Sequence, residues 1–316
     1  MRYYRIRVIS PDGTVREEWN SHRPNGLVNE GALRIEFTLP VTSMTESAGN
    51  AELKVWGVPL SYFKQSYNLN GCSIYIEAGM AKGLPLANPN QKGLVLKGKI
   101  QATYPLREGT NAYLQMIIIA GSNILSDPRQ LIVNWKKGQK LADILKETLK
   151  EYQSDIQISD NLVCNFDHIG HYPTYESLST QLEQYTKSFI KDANYQGVKI
   201  TKQNGKLYVY DGTKPSNKTV TADFKDFIGQ PQWINTAQVG MTMMLRGDIL
   251  LGNDIKMPER LAAQYAFNSA IENEREKLNF KGTFNAVGIT HVGDSRNPHP
   301  DAWSTILTVN KNNVAK

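Results

Sequence analysis

Leu33-Arg34-Ile35-Glu36-Phe37-Thr38-Leu39 places an apolar side chain at every second position, and Ala51-Glu52-Leu53-Lys54-Val55-Trp56 repeats the pattern. A period of two marks a strand with one buried and one solvated face. Working outward, Tyr4, Ile6 and Val8 alternate with Arg5 and Arg7, and the Pro11-Asp12-Gly13 turn lets Thr14 to Trp19 return as the second arm of a hairpin. Ile74 and Ile76 share one side of a further strand, opposite Tyr75 and Glu77. Leu94 to Ile100 and Tyr113 to Ile119 supply two more, separated by the turn-like Arg107-Glu108-Gly109-Thr110-Asn111. So many short strands predict an N-terminal barrel or sandwich domain over residues 1–130.

Beyond it the period lengthens. Leu141, Ile144, Leu145, Leu149 and Tyr152 fall at helical spacing, which predicts a helix entered after Gly138 and left near Ser154-Asp155. Thr174 is a good N-cap for a second helix, whose apolar stripe is Tyr175, Leu178, Leu182, Tyr185 and Phe189. Val198 to Thr201 and Lys206 to Tyr210 flank Gln203-Asn204-Gly205, where Asn-Gly signals a hairpin. Residues 131–215 therefore read as a small α+β domain, closed by the polar Pro215-Ser216-Asn217-Lys218. In residues 216–316 strands are expected at Val239 to Leu245, Asp248 to Leu251 and Ile255 to Met257, then a polar helix across Pro258 to Lys277. Gly282 to His291 and Trp303 to Val309 read as a closing pair of strands. The expected fold class is mainly β with an α+β insert: two barrel-like β domains flanking a small helix-containing domain.

The length of 316 residues fits several substructures rather than one core. Its longest apolar run, Met116 to Ala120, is far short of the ~18 residues of a membrane span, so no stable membrane binding is expected. Met1 to Arg5 leads straight into a strand without the apolar stretch of a signal peptide, which predicts a chain that begins in a cytoplasm. Cys72 and Cys164 lie far apart and outside any CxxC pattern, as buried free thiols do. The formal charge of +6 comes from cations scattered among acids, with Trp135-Lys136-Lys137 the longest basic cluster. That pattern predicts a mildly basic exterior rather than a dedicated nucleic-acid surface.

Candidate chemistry is sparse. Asp167, His168 and His171 could form a metal site, and His291, Asp294 and His299 another, but neither has the helical HExxH spacing that aims two imidazoles from one face. Both groups read as loop residues, so no metal is expected. GxSxG, GxxxxGK[ST] and a helix-opening GxGxxG are all absent, and neither cysteine has a convincing base nearby. No catalytic residue, and no cofactor, is therefore assigned. Trp19, Trp56, Trp135, Trp233 and Trp303 each stand at the edge of a strand or turn, which suits cores and subunit interfaces alike. Leu84-Pro85-Leu86-Ala87-Asn88-Pro89-Asn90 reads as an exposed loop that could serve in docking.

Three stretches in order resemble the hub proteins of phage baseplates. The first runs from Leu33-Arg34-Ile35-Glu36-Phe37 through Ala51 to Val58, Gly71 to Gly79 and Leu94 to Ile100; here Leu96-Lys97-Gly98-Lys99-Ile100 lacks the family's usual aromatic. The second joins Ile228-Gly229-Gln230-Pro231-Gln232-Trp233 to Gly240 through Ile249. The third, Gly282 to Asp294 through Trp303-Ser304-Thr305, is similar to a closing hairpin in which a His-x-Gly-Asp loop precedes a Trp-x-Thr strand. The resemblance implies a non-enzymatic homotrimer in the virion, assembled in the bacterial host cytoplasm. It also implies a ring that adapts a hexameric tail tube or tube-initiator protein to a trimeric spike, alongside other baseplate proteins. DNA would be only channel cargo. Candidate interface or structural residues are Trp56, Pro85, Pro89, Trp233, Arg246, His291, Asp294 and Trp303. With the chain closing at Lys316, no fused spike or lysozyme domain is expected. The alternatives are a tail-associated cell-wall hydrolase and the hub of a related tailocin or secretion apparatus.

Overall fold

The computed structural model describes residues 1–41, 51–82, 88–120, 131–150, 154–190, 195–203, 206–213, 218–258, 264–265 and 280–311. The chain is mainly β with a small helical part. Its N-terminal lobe holds β1 (Arg2–Ile9), β2 (Val15–Asn20), β3 (Arg34–Val41), β4 (Ala51–Trp56), β5 (Ser73–Met80), β6 (Gly93–Glu108) and β7 (Asn111–Ala120). The expected alternation is present: Ile35, Phe37 and Leu39 of β3 and Leu53 and Val55 of β4 are buried, and the residues between them face outward. The strands pair in the order β2-β1-β5-β6-β7-β4-β3. Side chains from all seven meet in one core, so the sheet curls around its own apolar face. Turn residues sharpen its corners. Gly109, at φ +58°, lets β6 and β7 run on to a two-residue connection, shorter than the turn expected from Arg107 to Asn111.

The insert carries β8 (Leu131–Trp135), α1 (Leu141–Thr148), β9 (Ser154–Gln157), β10 (His168–Tyr172), α2 (Tyr175–Lys187), β11 (Lys199–Gln203) and β12 (Lys206–Tyr210). Thr174 caps α2 as expected, its hydroxyl accepting from the Ser177 amide at 3.1 Å. α1 ends at Thr148, well before Ser154, which begins a strand instead: Ser154 to Gln157 pair in parallel with β12. Leu141, Leu145, Leu178, Leu182, Ile200 and Val209 pack in a separate core. β11 and β12 pair antiparallel, while the Asn204-Gly205 turn and the Pro215-Ser216-Asn217 boundary lie outside the described residues.

The last part comprises β13 (Thr219–Thr221), β14 (Gln232–Trp233), β15 (Gln238–Met244), β16 (Asp254–Lys256), β17 (Gln264–Tyr265), β18 (Thr283–Asp294) and β19 (Trp303–Lys311). Trp233, Met243, Ile255, Phe284, Leu307 and Val309 form a third core. Asp248 to Leu251, expected as a strand, is a bend: the Leu250 amide donates to the Asn253 side chain and the Arg246 guanidinium clasps Asp248, so local polar bonds replace a ladder. The helix expected from Pro258 to Lys277 falls almost wholly outside the described residues; within it Gln264 and Tyr265 pair in parallel with β14.

The two β lobes are joined by hydrogen bonds. β18 pairs antiparallel with β3, Ile289 facing Val41 and Asp294 facing Glu36, so the sheet continues β3-β18-β19-β15-β14-β17.

Candidate functional site

The β3/β18 seam brings residues distant in sequence together and places several of the candidates. On its outer face the Arg34 guanidinium grips the Asp294 carboxylate through two nitrogens, at 2.9 and 3.2 Å, and also meets Glu36. It lies 5.2 Å from the Trp56 ring, and Trp56 sits 4.3 Å from Tyr113 on the next strand. Lys54 pairs with Glu52 at 3.2 Å. These rows follow from alternation: the residues of β3 and β4 that point away from the core are the charged ones, and antiparallel register sets them side by side. Burial works to raise the Asp294 carboxyl, but Arg34 and the amides of Arg296 and Asn297 outweigh it and hold the group below the usual carboxylate range.

A groove of about 500 Å³ crosses this face and gathers Glu36, Glu52, Asp294 and Asp301. Each carboxylate has a basic neighbour, Arg34 for Glu36 and Asp294, Lys54 for Glu52, and His299 at 3.5 Å for Asp301. A general acid needs its carboxyl raised toward neutrality. Asp294 is shifted the other way.

Beneath the face, the polar residues at the lobe junction are almost fully buried. Arg246, 2% exposed, donates to both oxygens of Asp248 at 2.8 Å and to Asp226 at 3.2 Å. Asp226 also accepts from the Gln91 side chain at 3.0 Å and the Asp223 amide at 2.9 Å. The Gly247 amide donates to the Gln91 carbonyl at 2.8 Å, and a Cβ on Gly247 would come within 2.7 Å of the Gly93 backbone, so the chains touch only because neither has a side chain. His291 Nδ1 is 2.9 Å from Thr305 Oγ1, which accepts from the Arg246 amide at 3.1 Å. Burial pushes the His291 imidazole down to about 4, so it is neutral at physiological pH.

Trp303 is buried, its indole N–H donating to the Gly79 carbonyl at 2.8 Å across the junction. Trp233 is wholly buried, stacked 5.8 Å from Phe280. Trp56 is half-buried on the outer face. Pro89 opens the 3-10 turn Pro89–Gln91 that presents Gln91 to Asp226, while Pro85 lies outside the described residues.

Two expectations about loops are corrected. His168 and His171 lie within β10, where alternation sends His168 inward to stack 4.2 Å from Trp135 and leaves His171 exposed on the opposite face. His291 and Asp294 lie within β18, again with one inward and one outward. Neither pair can close on one ion, and no metal-binding cluster occurs among the described residues. Sequence reading passed over Arg2, Arg34, Gln91 and Asp226. The Arg2 guanidinium donates to the carbonyls of Asp294, Asn297 and His299, pinning the β18–β19 loop; a lone arginine at the start of a strand carries no local sign of such a role.

No family model and no curated protein matches this chain. Solved structures do. A tail protein from Neisseria meningitidis MC58 matches at 11% identity over 99% of this chain and 97% of that one, with a TM-score of 0.48. A 43 kDa tail protein of prophage MuSo2 from Shewanella oneidensis matches at 9% identity over 98% and 96%, with a TM-score of 0.49. An E. coli component of the type VI secretion system, described as structurally similar to phage T4 tail proteins, matches at 9% identity over 89% and 74%, with a TM-score of 0.45. The structures this chain resembles are tail and secretion-system proteins.

Proposed function

We propose that this chain is a structural baseplate hub of a phage tail, a non-enzymatic component of the virion. Three copies form a ring around an axial channel and adapt the hexameric tail tube to the trimeric spike. The observation that carries the reading is the β3/β18 pairing, which makes two β lobes one sheet. A subunit with two rigidly joined lobes, repeated about a three-fold axis, offers six lobes to one partner and three subunits to another. The stretches that resemble the hub family fall on β3 to β6, on β14 and β15, and on β18 and β19, the strands that build and join these lobes. Paired carboxylates in the outer groove suit stiffening better than acid–base chemistry.

Light scattering on the purified protein, alone and mixed with tube and spike proteins, tests the proposal. The expected particle has three times the 35.5 kDa protomer mass. A strictly monomeric chain in every mixture, or a lytic band on peptidoglycan zymography that a Glu36→Gln or Asp294→Asn substitution removes, would overturn it.

A further inference from the structure

On the opposite flank of the N-terminal lobe the outer sheet face is built differently. β1 points Tyr3, Arg5 and Arg7 outward, β5 points Tyr75 and Glu77, and β6 points Lys97 and Lys99, with Lys92 just before it. Register sets Glu18, Arg7, Tyr75 and Lys97 side by side across four strands. The carboxylates here, Glu18 and Glu77, are taken up by Arg5 at 2.9 Å and Arg7 at 3.3 Å. Lys92, Lys97 and Lys99 have no carboxylate within ion-pair distance among the described residues. Two of them instead lie against rings: Lys92 is 4.7 Å from the Tyr3 centroid, and Lys97 is 5.2 Å from Tyr75, which Arg7 also approaches at 5.5 Å. A ring positions an ammonium through its quadrupole but leaves the charge uncancelled. The contrast with Arg34 and Lys54 across the lobe, where every cation meets a carboxylate, is direct.

We infer that the outer face of β2, β1, β5 and β6 is a contact surface for the phosphate backbone of nucleic acid, with Lys92, Lys97 and Lys99 as its cations. Lys97 and Lys99 stand roughly 7 Å apart along one strand, a row suited to a polymer of regularly spaced charges. An acidic protein partner fits less well. The centres of protein interfaces are depleted of lysine, whereas this face carries Lys92, Lys97 and Lys99, and the exposed Met1 and Val15 lie at the ends of its rows. Dispersed in sequence, the lysines form no basic run. The sheet assembles them.

The surface is independent of the hub reading, since a monomer would carry it equally. The test is fluorescence anisotropy of the full chain with a labelled DNA duplex of about 20 base pairs, at 50 and 200 mM salt. With three to four phosphates contacted, affinity should fall on the order of 40- to 150-fold between those salts. Lys92→Ala/Lys97→Ala/Lys99→Ala should flatten most of that dependence and remove binding at the lower salt. Lys146→Ala/Lys150→Ala, in and just after α1 of the insert, should change neither. Folded protein that fails to bind, a triple variant that binds like the parent, or equal displacement by polyglutamate would each overturn the inference.

Discussion

Asp226→Ala is expected to destabilise the protein by about 3 to 5 kcal/mol, a large share of the ~5 to 15 kcal/mol that holds a typical domain together. The substitution takes one carboxylate from a site where Arg246 and Asp226 are each 2% exposed. Arg246 keeps its paired bonds to Asp248 but loses its inner partner, and the Gln91 amide and Asp223 N–H lose their acceptor. Because Gln91 belongs to the N-terminal lobe and Asp226 to the other, the loss also loosens the junction. Urea unfolding would measure it. The double variant Asp226→Ala/Arg246→Met should lose clearly less than the sum of the single changes, since it removes the stranded charge along with its partner. Strict additivity would show that the two side chains do not act as a unit.

His291 should make the fold acid-sensitive. Its imidazole is held down to about 4, against 6.5 for the free group, by burial. The folded state thus binds fewer protons than the unfolded chain, and stability depends on pH wherever the two differ. The contribution is fully present above about 6.5 and is lost as pH falls through about 4. Over that window it amounts to about 3 kcal/mol. The surroundings agree: His291 borders a cavity of about 30 Å³ whose lining includes the apolar Val41, Leu96, Ile249 and Ile289, so burial alone disfavours the charged ring. Comparing urea midpoints at pH 7 and pH 4.5 for the parent and His291→Gln isolates the effect, because other titrating groups are common to both. The parent should lose roughly 2 to 3 kcal/mol more than the variant on acidification. An equal loss in both proteins would contradict the assignment.

Legibility in the sequence followed the range of the forces involved. Alternation in Leu33 to Leu39 and Ala51 to Trp56 was readable because a half-buried strand needs only its own residues to reveal its faces. The Thr174 cap was equally local. The bend at Asp248 is hidden in the sequence because Ile249 and Leu251 are apolar at strand spacing, while the bonds that curve the chain run to Arg246 and Asn253. His168 reads as a loop residue beside Gly170, and the strand expected from Gly282 ends at His291, yet Gly170 and Gly293 both sit inside strands. At Gly293 a Cβ would strike the Phe37 ring at 2.2 Å, so the glycine there marks close packing of β18 on β3 rather than a turn. The junction of Gln91, Asp226 and Arg246 joins residues up to 155 positions apart, and no spacing rule reaches so far.

The proposed hub role rests on two lobes held as one rigid piece, and a particle image tests that most directly. Class averages of the purified protein viewed down its axis should show three copies enclosing a hole, with six β lobes evenly spaced around it. Single compact particles, or rings whose lobes take variable positions within each subunit, would contradict the account.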